Sequence, residues 1–296
     1  MSALGRLGLI GAGRLGQTWA CACAAAGHRF EAVHSRRIES AQGLEKTIGA
    51  RVKDTAQEVV DACDTVFLTV SDDAIERVCA SLNWRAGQVA VHCSGATELG
   101  ALAHAVQQGA VAAGLHPLHT FGDVETALAG LPGSAAAVEA TQPSVQEALT
   151  ALARDVGLRP FVLPSGTRSL YHASSHYAGS LVVTLLDEAL RHWSHLGVTP
   201  EQALAALLPL LRSTVRAIEA KGTGPGMAGV VARGDEGVLD LHLRALEVVG
   251  RDEERLYAEL SLRSVRLALE AGRIDEAKAQ AMRERLYQTL ARPAPR

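Results

Sequence analysis

The chain has 296 residues, 48% of them apolar, a formal net charge of −3 and five cysteines. That length suits two domains and a core that needs no disulfide or metal staple. The near-balanced charge, with no basic stripe, removes the electrostatic case for nucleic acid, and no apolar run is long enough for a membrane, so the chain reads as cytoplasmic.

The first predicted strand, LGLIG (7–11), runs into Gly11-x-Gly13-x-x-Gly16 at the mouth of a helix. Gly11 permits a tight turn, Gly13 lets the backbone approach a pyrophosphate, and Gly16 lets helix and strand pack closely. The loop Gly11, Ala12, Gly13, Arg14, Leu15 and Gly16 is therefore the expected cradle of a dinucleotide. Cys21 and Cys23 follow inside the helix, two positions apart and on nearly opposite sides. With Cys63, Cys79 and Cys93 they read as reduced core thiols.

The second strand, FEAVHS (30–35), ends in His34, Ser35, Arg36 and Arg37. An NAD site presents an acid here to the ribose 2′-hydroxyl, and Glu31 sits too early in the strand for that. A hydroxyl with two guanidiniums suits a 2′-phosphate, so NADP is the expected cofactor. The strand DTVFLTV (64–70) delivers Val70 and Ser71 to the same ligand, with Asp72 or Asp73 as a helix cap. QVAVHCS (88–94) delivers Ser94 and Gly95.

Three more strands follow: GAVAAGLH (109–116), SAAAVEA (134–140) and LRPFVLP (158–164). Amphipathic stretches separate most of these runs, which argues for a parallel sheet with helices on both faces. After Pro164 and Gly166 the pattern turns helical, over about 168–196, 200–221, 235–250, 252–271 and 275–291, interrupted by a glycine-rich stretch at 221–234 and followed by a frayed RPAPR tail. Thr199 and Pro200 mark one helix start, and Asp235 caps another. The fold class is α/β: an N-terminal Rossmann-type, mostly parallel sheet domain (1–164), then an all-α C-terminal domain (165–296) for substrate and dimerisation.

GAGRLG, TVSDDAI, HCSGA, LHPLHTF (115–121), LYHAS (170–174) and ARGDEGVLDLHLRAL (232–246) together resemble a family of Rossmann-like NADP oxidoreductases. Their helical C-terminal domain was long catalogued as of unknown function, and they are relatives of pyrroline-5-carboxylate reductase and of deazaflavin-dependent NADP oxidoreductases. The resemblance implies a reductase, some members acting on 2-dehydropantoate, and a homodimer built through the helical domains. The family pattern carries Asn where this chain has Ser180.

Reduction of a carbonyl or imine by hydride needs a nearby proton donor. The related β-hydroxyacid dehydrogenases use a Lys early in the helical domain. This chain has only Lys46, Lys53, Lys221 and Lys278, none of them there. The remaining donors are His116, His119, Tyr171, His172 and His176. His172 is the expected proton donor, with His116 and Ser94 orienting the acceptor. Arg233 is the expected fork for a substrate carboxylate, with His176 and Ser180 on the substrate side. The expected activity is NADPH-dependent reduction of a small carboxylate bearing a keto or imine group. Its rival is an NADP-binding sensor or assembly protein without turnover. His172 and His176 also have half of a zinc-helix spacing, but Ala173 replaces the metalloprotease Glu, and no metal is expected.

Overall fold

The computed structural model describes residues 4–292, and most of the RPAPR tail lies outside the described residues. The chain divides into two compact units, Met1–Ser180 and Leu181–Arg296.

The first unit is built on eight strands among the described residues. They are β1 (Leu7–Ile10), β2 (Phe30–His34), β3 (Arg51–Val52), β4 (Thr65–Leu68), β5 (Val89–His92), β6 (Val111–Pro117), β7 (Ala135–Ala140) and β8 (Arg159–Val162). Their order across the sheet is β3-β2-β1-β4-β5-β6-β7-β8. All neighbours pair in parallel except β6 and β7. Helices α1 (Arg14–Ala25), α2 (Ile38–Ile48), α3 (Ala56–Ala62), α4 (Asp72–Ala80), α5 (Ala103–Gln107), α6 (Val124–Gly130) and α7 (Pro143–Asp155) connect the strands. Helix α8 (Arg168–Ala178) follows β8.

Strands β1, β4, β5 and β6 are buried along their whole length, so they read as continuous apolar runs rather than as alternation. Trp19, Phe30 and Phe67 anchor one apolar layer, and Leu68, Ile75 and Leu102 the other. Burying each such side chain contributes about 1.5–3 kcal/mol before chain entropy is set against it. The chain order reverses across the sheet between β1 and β4, which places a ligand crevice outside their carboxyl ends.

In the second unit, α9 (Ser180–Ser194) and α10 (Pro200–Lys221) precede two one-turn helices, α11 (Thr223–Gly226) and α12 (Val230–Arg233). Three longer helices close it: α13 (Glu236–Val249), α14 (Arg251–Glu270) and α15 (Glu276–Ala291). Leu239, Leu243, Val265, Met282 and Leu286 form its core. Thr199 and Gln202 make a capping box at α10, with Pro200 in the first turn.

Three expectations change. The two-residue strand β3 was not foreseen, because it is too short for any period to show. The single helix expected over 168–196 is two helices, broken at Gly179 with φ −105° and ψ −101°. The stretch 221–234 is not wholly irregular, since it holds α11 and α12.

Candidate active site

Gly11 and Gly16 of the glycine loop have the turn and the close packing that their spacing predicts. Gly11 has φ +106°, and a methyl there would lie 2.8 Å from the Thr69 carbonyl. A methyl on Gly16 would strike the Gly11 carbonyl oxygen. Gly13 has no conformational need to be glycine, at φ −74°, and its α-carbon faces open space. That opening fits a pyrophosphate: α1 begins at Gly13 with no side chain capping it and no acid in its first turn.

A cavity of about 540 Å³ opens beside this loop, bounded by Gly13, Ser35, Arg36, Arg37, Val70 and Ser71 among others. Gly11 and Ala12 also border it. Leu15 packs into the core, and Arg14 is exposed on the first turn of α1. The sequence reading missed Arg77, which enters the same cavity from α4. The Asp73 carboxyl is held below its usual range, chiefly by a hydrogen bond with Ser71 and further by Arg77 and Arg36. This end of the cavity is therefore a cluster of guanidiniums. The residues present fit a 2′-phosphorylated dinucleotide.

The remaining site residues gather at the carboxyl ends of β5 and β6. His92 pairs with Gly114 and Gly114 with Glu139, so these three form a row across β5, β6 and β7. Arg168, the first residue of α8, lays its side chain over that row. Its guanidinium occupies the space a side chain on Gly114 would need. It is 0% exposed and donates to Glu139 Oε2 at 3.0 Å and to the Ser94 carbonyl at 2.8 Å. The Glu98 carboxylate holds the same helix start, accepting from the Gly166 and Arg168 amides at 3.2 and 2.9 Å.

With α8 so anchored, Tyr171 and His172 lie one turn on, over the same face. The Tyr171 hydroxyl is 2.9 Å from His116 Nδ1. The His116 and His172 rings stand edge to face with centroids 5.9 Å apart. A methyl on Gly95 would sit 2.5 Å from His172 Nδ1 and 3.0 Å from His116 Nε2. Two ring nitrogens therefore converge over a residue that lacks a side chain.

Burial pushes the His116 imidazole down to about 4, helped by His172 and then Arg168. Burial likewise takes His92 down to about 3, with Arg168 and His116 adding to the effect. Both rings are neutral near pH 7. Burial raises the Tyr171 phenol to about 12, with Arg168 opposing.

The other expected residues fall differently. The Ser94 hydroxyl accepts from the Ala96 and Thr97 amides at 3.1 and 2.9 Å, and it lies 2.9 Å from the Thr97 hydroxyl. It is committed to its own turn rather than free to polarise a substrate. His119 bonds Ser134 at 3.1 Å, outside the cluster. His176 is exposed in the last turn of α8, and Ser180 opens α9 beyond the break. Arg233 is exposed at the end of α12. Among the described residues, no three His, Cys, Asp or Glu side chains are grouped to hold a metal, and no helix is long and apolar enough to cross a membrane.

Residues 6–95 match the family described as NADP oxidoreductase coenzyme F420-dependent. The chain is an NADP-dependent oxidoreductase. Residues 134–264 match a domain of unknown function, DUF2520, so the enzyme joins an NADP oxidoreductase domain to a member of that second family. The oxidoreductase shares its fold with protein TM1727 of Thermotoga maritima, at 24% identity and TM-score 0.73, over 90% of this chain and 100% of that one. The fold also matches a 1-pyrroline-5-carboxylate reductase of Streptococcus pyogenes, at 14% identity and TM-score 0.63, over 92% of this chain and 100% of the other. A reductive aminase of Aspergillus terreus, in complex with NADPH and ethyl levulinate, matches at 16% identity and TM-score 0.59, over 97% and 94% of the two chains. No curated protein matches the chain.

Proposed function

We propose that the enzyme is an NADPH-dependent reductase of a small carboxylate bearing a keto or imine group. The observation that carries the reading is the convergence of His116 Nε2 and His172 Nδ1 over Gly95, in the same unit as the cofactor cavity. The names of two fold relatives, a pyrroline-carboxylate reductase and a reductive aminase, support a C=N or C=O acceptor.

Gly11, Ala12 and Gly13 cradle the pyrophosphate while Ser35, Arg36 and Arg37 hold the 2′-phosphate. Bound NADPH supplies the hydride. His172, exposed and able to exchange with water, gives its proton to the oxygen or nitrogen as that atom gains an electron pair. His116, neutral and buried, orients the same atom. Ser94 acts through its carbonyl, which anchors Arg168, and the missing side chain of Gly95 lets the His116 and His172 rings close in on it. Arg233, whose guanidinium could fork onto a carboxylate, lies in the second unit and is given no step. His176 and Ser180 carry no assigned step.

The proposed enzyme is a homodimer. None of the 15 residues of α9 is buried, and of the 22 in α10 only Ala203 is. Val183, Leu210 and Val215 on these helices lie open. Apolar faces of that extent mark an interface, and a second copy of the chain is the occupant that closed symmetry favours.

The test is NADPH oxidation against a panel of keto acids and cyclic imines. Turnover on one member is expected, and His172→Ala should lower kcat by roughly 10²-fold or more with NADPH binding intact. Tight NADPH binding with no turnover across the panel would overturn the reductase reading in favour of a sensor. An unchanged rate in His172→Ala would remove that ring from the mechanism.

A further inference from the structure

We propose that Tyr171 is a positioning residue that sets the tautomer of His116, keeping Nδ1 bare and the ring proton on Nε2, over Gly95. The inference rests on the reading of His116 as the group that orients the acceptor. It adds which nitrogen does so and what selects it.

The 2.9 Å contact between the Tyr171 hydroxyl and His116 Nδ1 admits two arrangements. Either the phenol donates to a bare Nδ1, or Nδ1–H donates to the phenol oxygen. Among the described residues, Nδ1 is the one partner recorded for this hydroxyl. If Nδ1 carried the proton, the phenol hydrogen would have no partner in a half-buried site, at about 1–3 kcal/mol. If the phenol donates, both groups are satisfied and the proton sits on Nε2, the ring nitrogen that lies beside Gly95.

The surroundings hold this choice in place. Phe161 of β8 packs on the Tyr171 ring at 5.8 Å between centroids, and Tyr171 meets His116 edge-on at 5.6 Å and 84°. Arg168, one turn earlier, is sealed onto the sheet by Glu139 and the Ser94 carbonyl. The charged or titratable groups around His116 are Arg168, Tyr171 and His172 on α8, His92 on β5 and Glu139 on β7. Glu139 is taken up by Arg168, which leaves no carboxylate recorded on the ring to draw a second proton.

The two imidazoles then have separate tasks. His116 presents a neutral N–H that strengthens its bond as negative charge develops, without surrendering the proton. His172, the exposed ring, supplies the proton. Tyr171 touches neither acceptor nor cofactor and acts through His116.

The test uses the full-length chain labelled with ¹⁵N-histidine, without substrate. Long-range proton–nitrogen spectra distinguish bare from protonated ring nitrogens, and His116→Gln assigns the resonances. The expected native spectrum has Nδ1 bare and Nε2 protonated through roughly pH 6 to 8. In Tyr171→Phe, which keeps the ring, the two nitrogens should shift toward a mixture of tautomers. With a substrate in hand, the same variant should lose roughly 10- to 100-fold in kcat with KM little changed. A protonated Nδ1 in the native chain overturns the proposal, even if the variant fails to fold. So does a folded Tyr171→Phe chain whose His116 signals match the native ones. Neither reading needs turnover, so failure here is distinct from failure of the reductase assignment.

Discussion

Arg77 reaches the cofactor cavity from α4, one side of the phosphate-binding end, while Arg36 and Arg37 approach from the end of β2. A guanidinium–phosphate contact is charge-assisted and contributes about 1.5–3 kcal/mol, so each useful arginine is worth roughly 10- to 100-fold in NADPH affinity. Arg36→Ala with Arg37→Ala should weaken NADPH binding by at least that factor while NADH binding changes little, as calorimetry would read. Arg77→Ala should weaken NADPH more than NADH too. An equal effect on both would assign Arg77 to the shared part of the nucleotide. At this scale the sequence is most legible where a requirement is local. The three glycines answer to requirements within six residues, and the tight turn at Gly11 and the packing contact at Gly16 both reappear in the structure. Arg77 was hidden because its neighbours in the cavity come from a different strand. Glu139 did leave a trace: a lone carboxylate in SAAAVEA, among alanines, has to find a buried cation.

Helix α8 is held by elements far from it in sequence, and its boundaries were correspondingly hard to read. Its start depends on Glu98, 70 positions before Arg168. Its end at Gly179 follows small residues that helix periodicity tolerates, which is why one helix was expected over 168–196. The anchoring pair makes a direct prediction. Arg168→Met leaves the buried Glu139 carboxylate unpaired and should destabilise the first unit by about 3–5 kcal/mol, measured by denaturant unfolding. Gly114→Ala places a methyl in the path of the same guanidinium. It should cost about 1–3 kcal/mol and crowd the His92 ring. If Gly114→Ala matched the native midpoint, the guanidinium would not be confined as described.

For the whole molecule, the two neutral imidazoles tie stability to acidity. His92 and His116 titrate at about 3 and about 4 in the fold, below their ordinary value of 6.5. The unfolded chain therefore binds more protons between those values. Stability is full above about pH 6.5 and falls as the pH drops toward 4, by up to about 1.4 kcal/mol per pH unit for each ring. Urea midpoints at pH 7 and pH 5 would show the loss, and a flat response would contradict the burial of both rings as neutral groups. Light scattering on the intact chain should return a dimer, and introducing a charge at Leu210, which is 63% exposed in the single chain, should shift it toward monomer. One more consequence follows from the guanidinium of Arg168 lying across β5, β6 and β7. The arginine has this place only where the three strands stand side by side, so α8 is held by the sheet as a whole. The residues that line the cavity, from Ile10 to Ser81, all precede β5, whereas Tyr171 and His172 follow β8. In the proposed reductase, the stretch of chain assigned to the cofactor is thus separate from the stretch assigned to the proton.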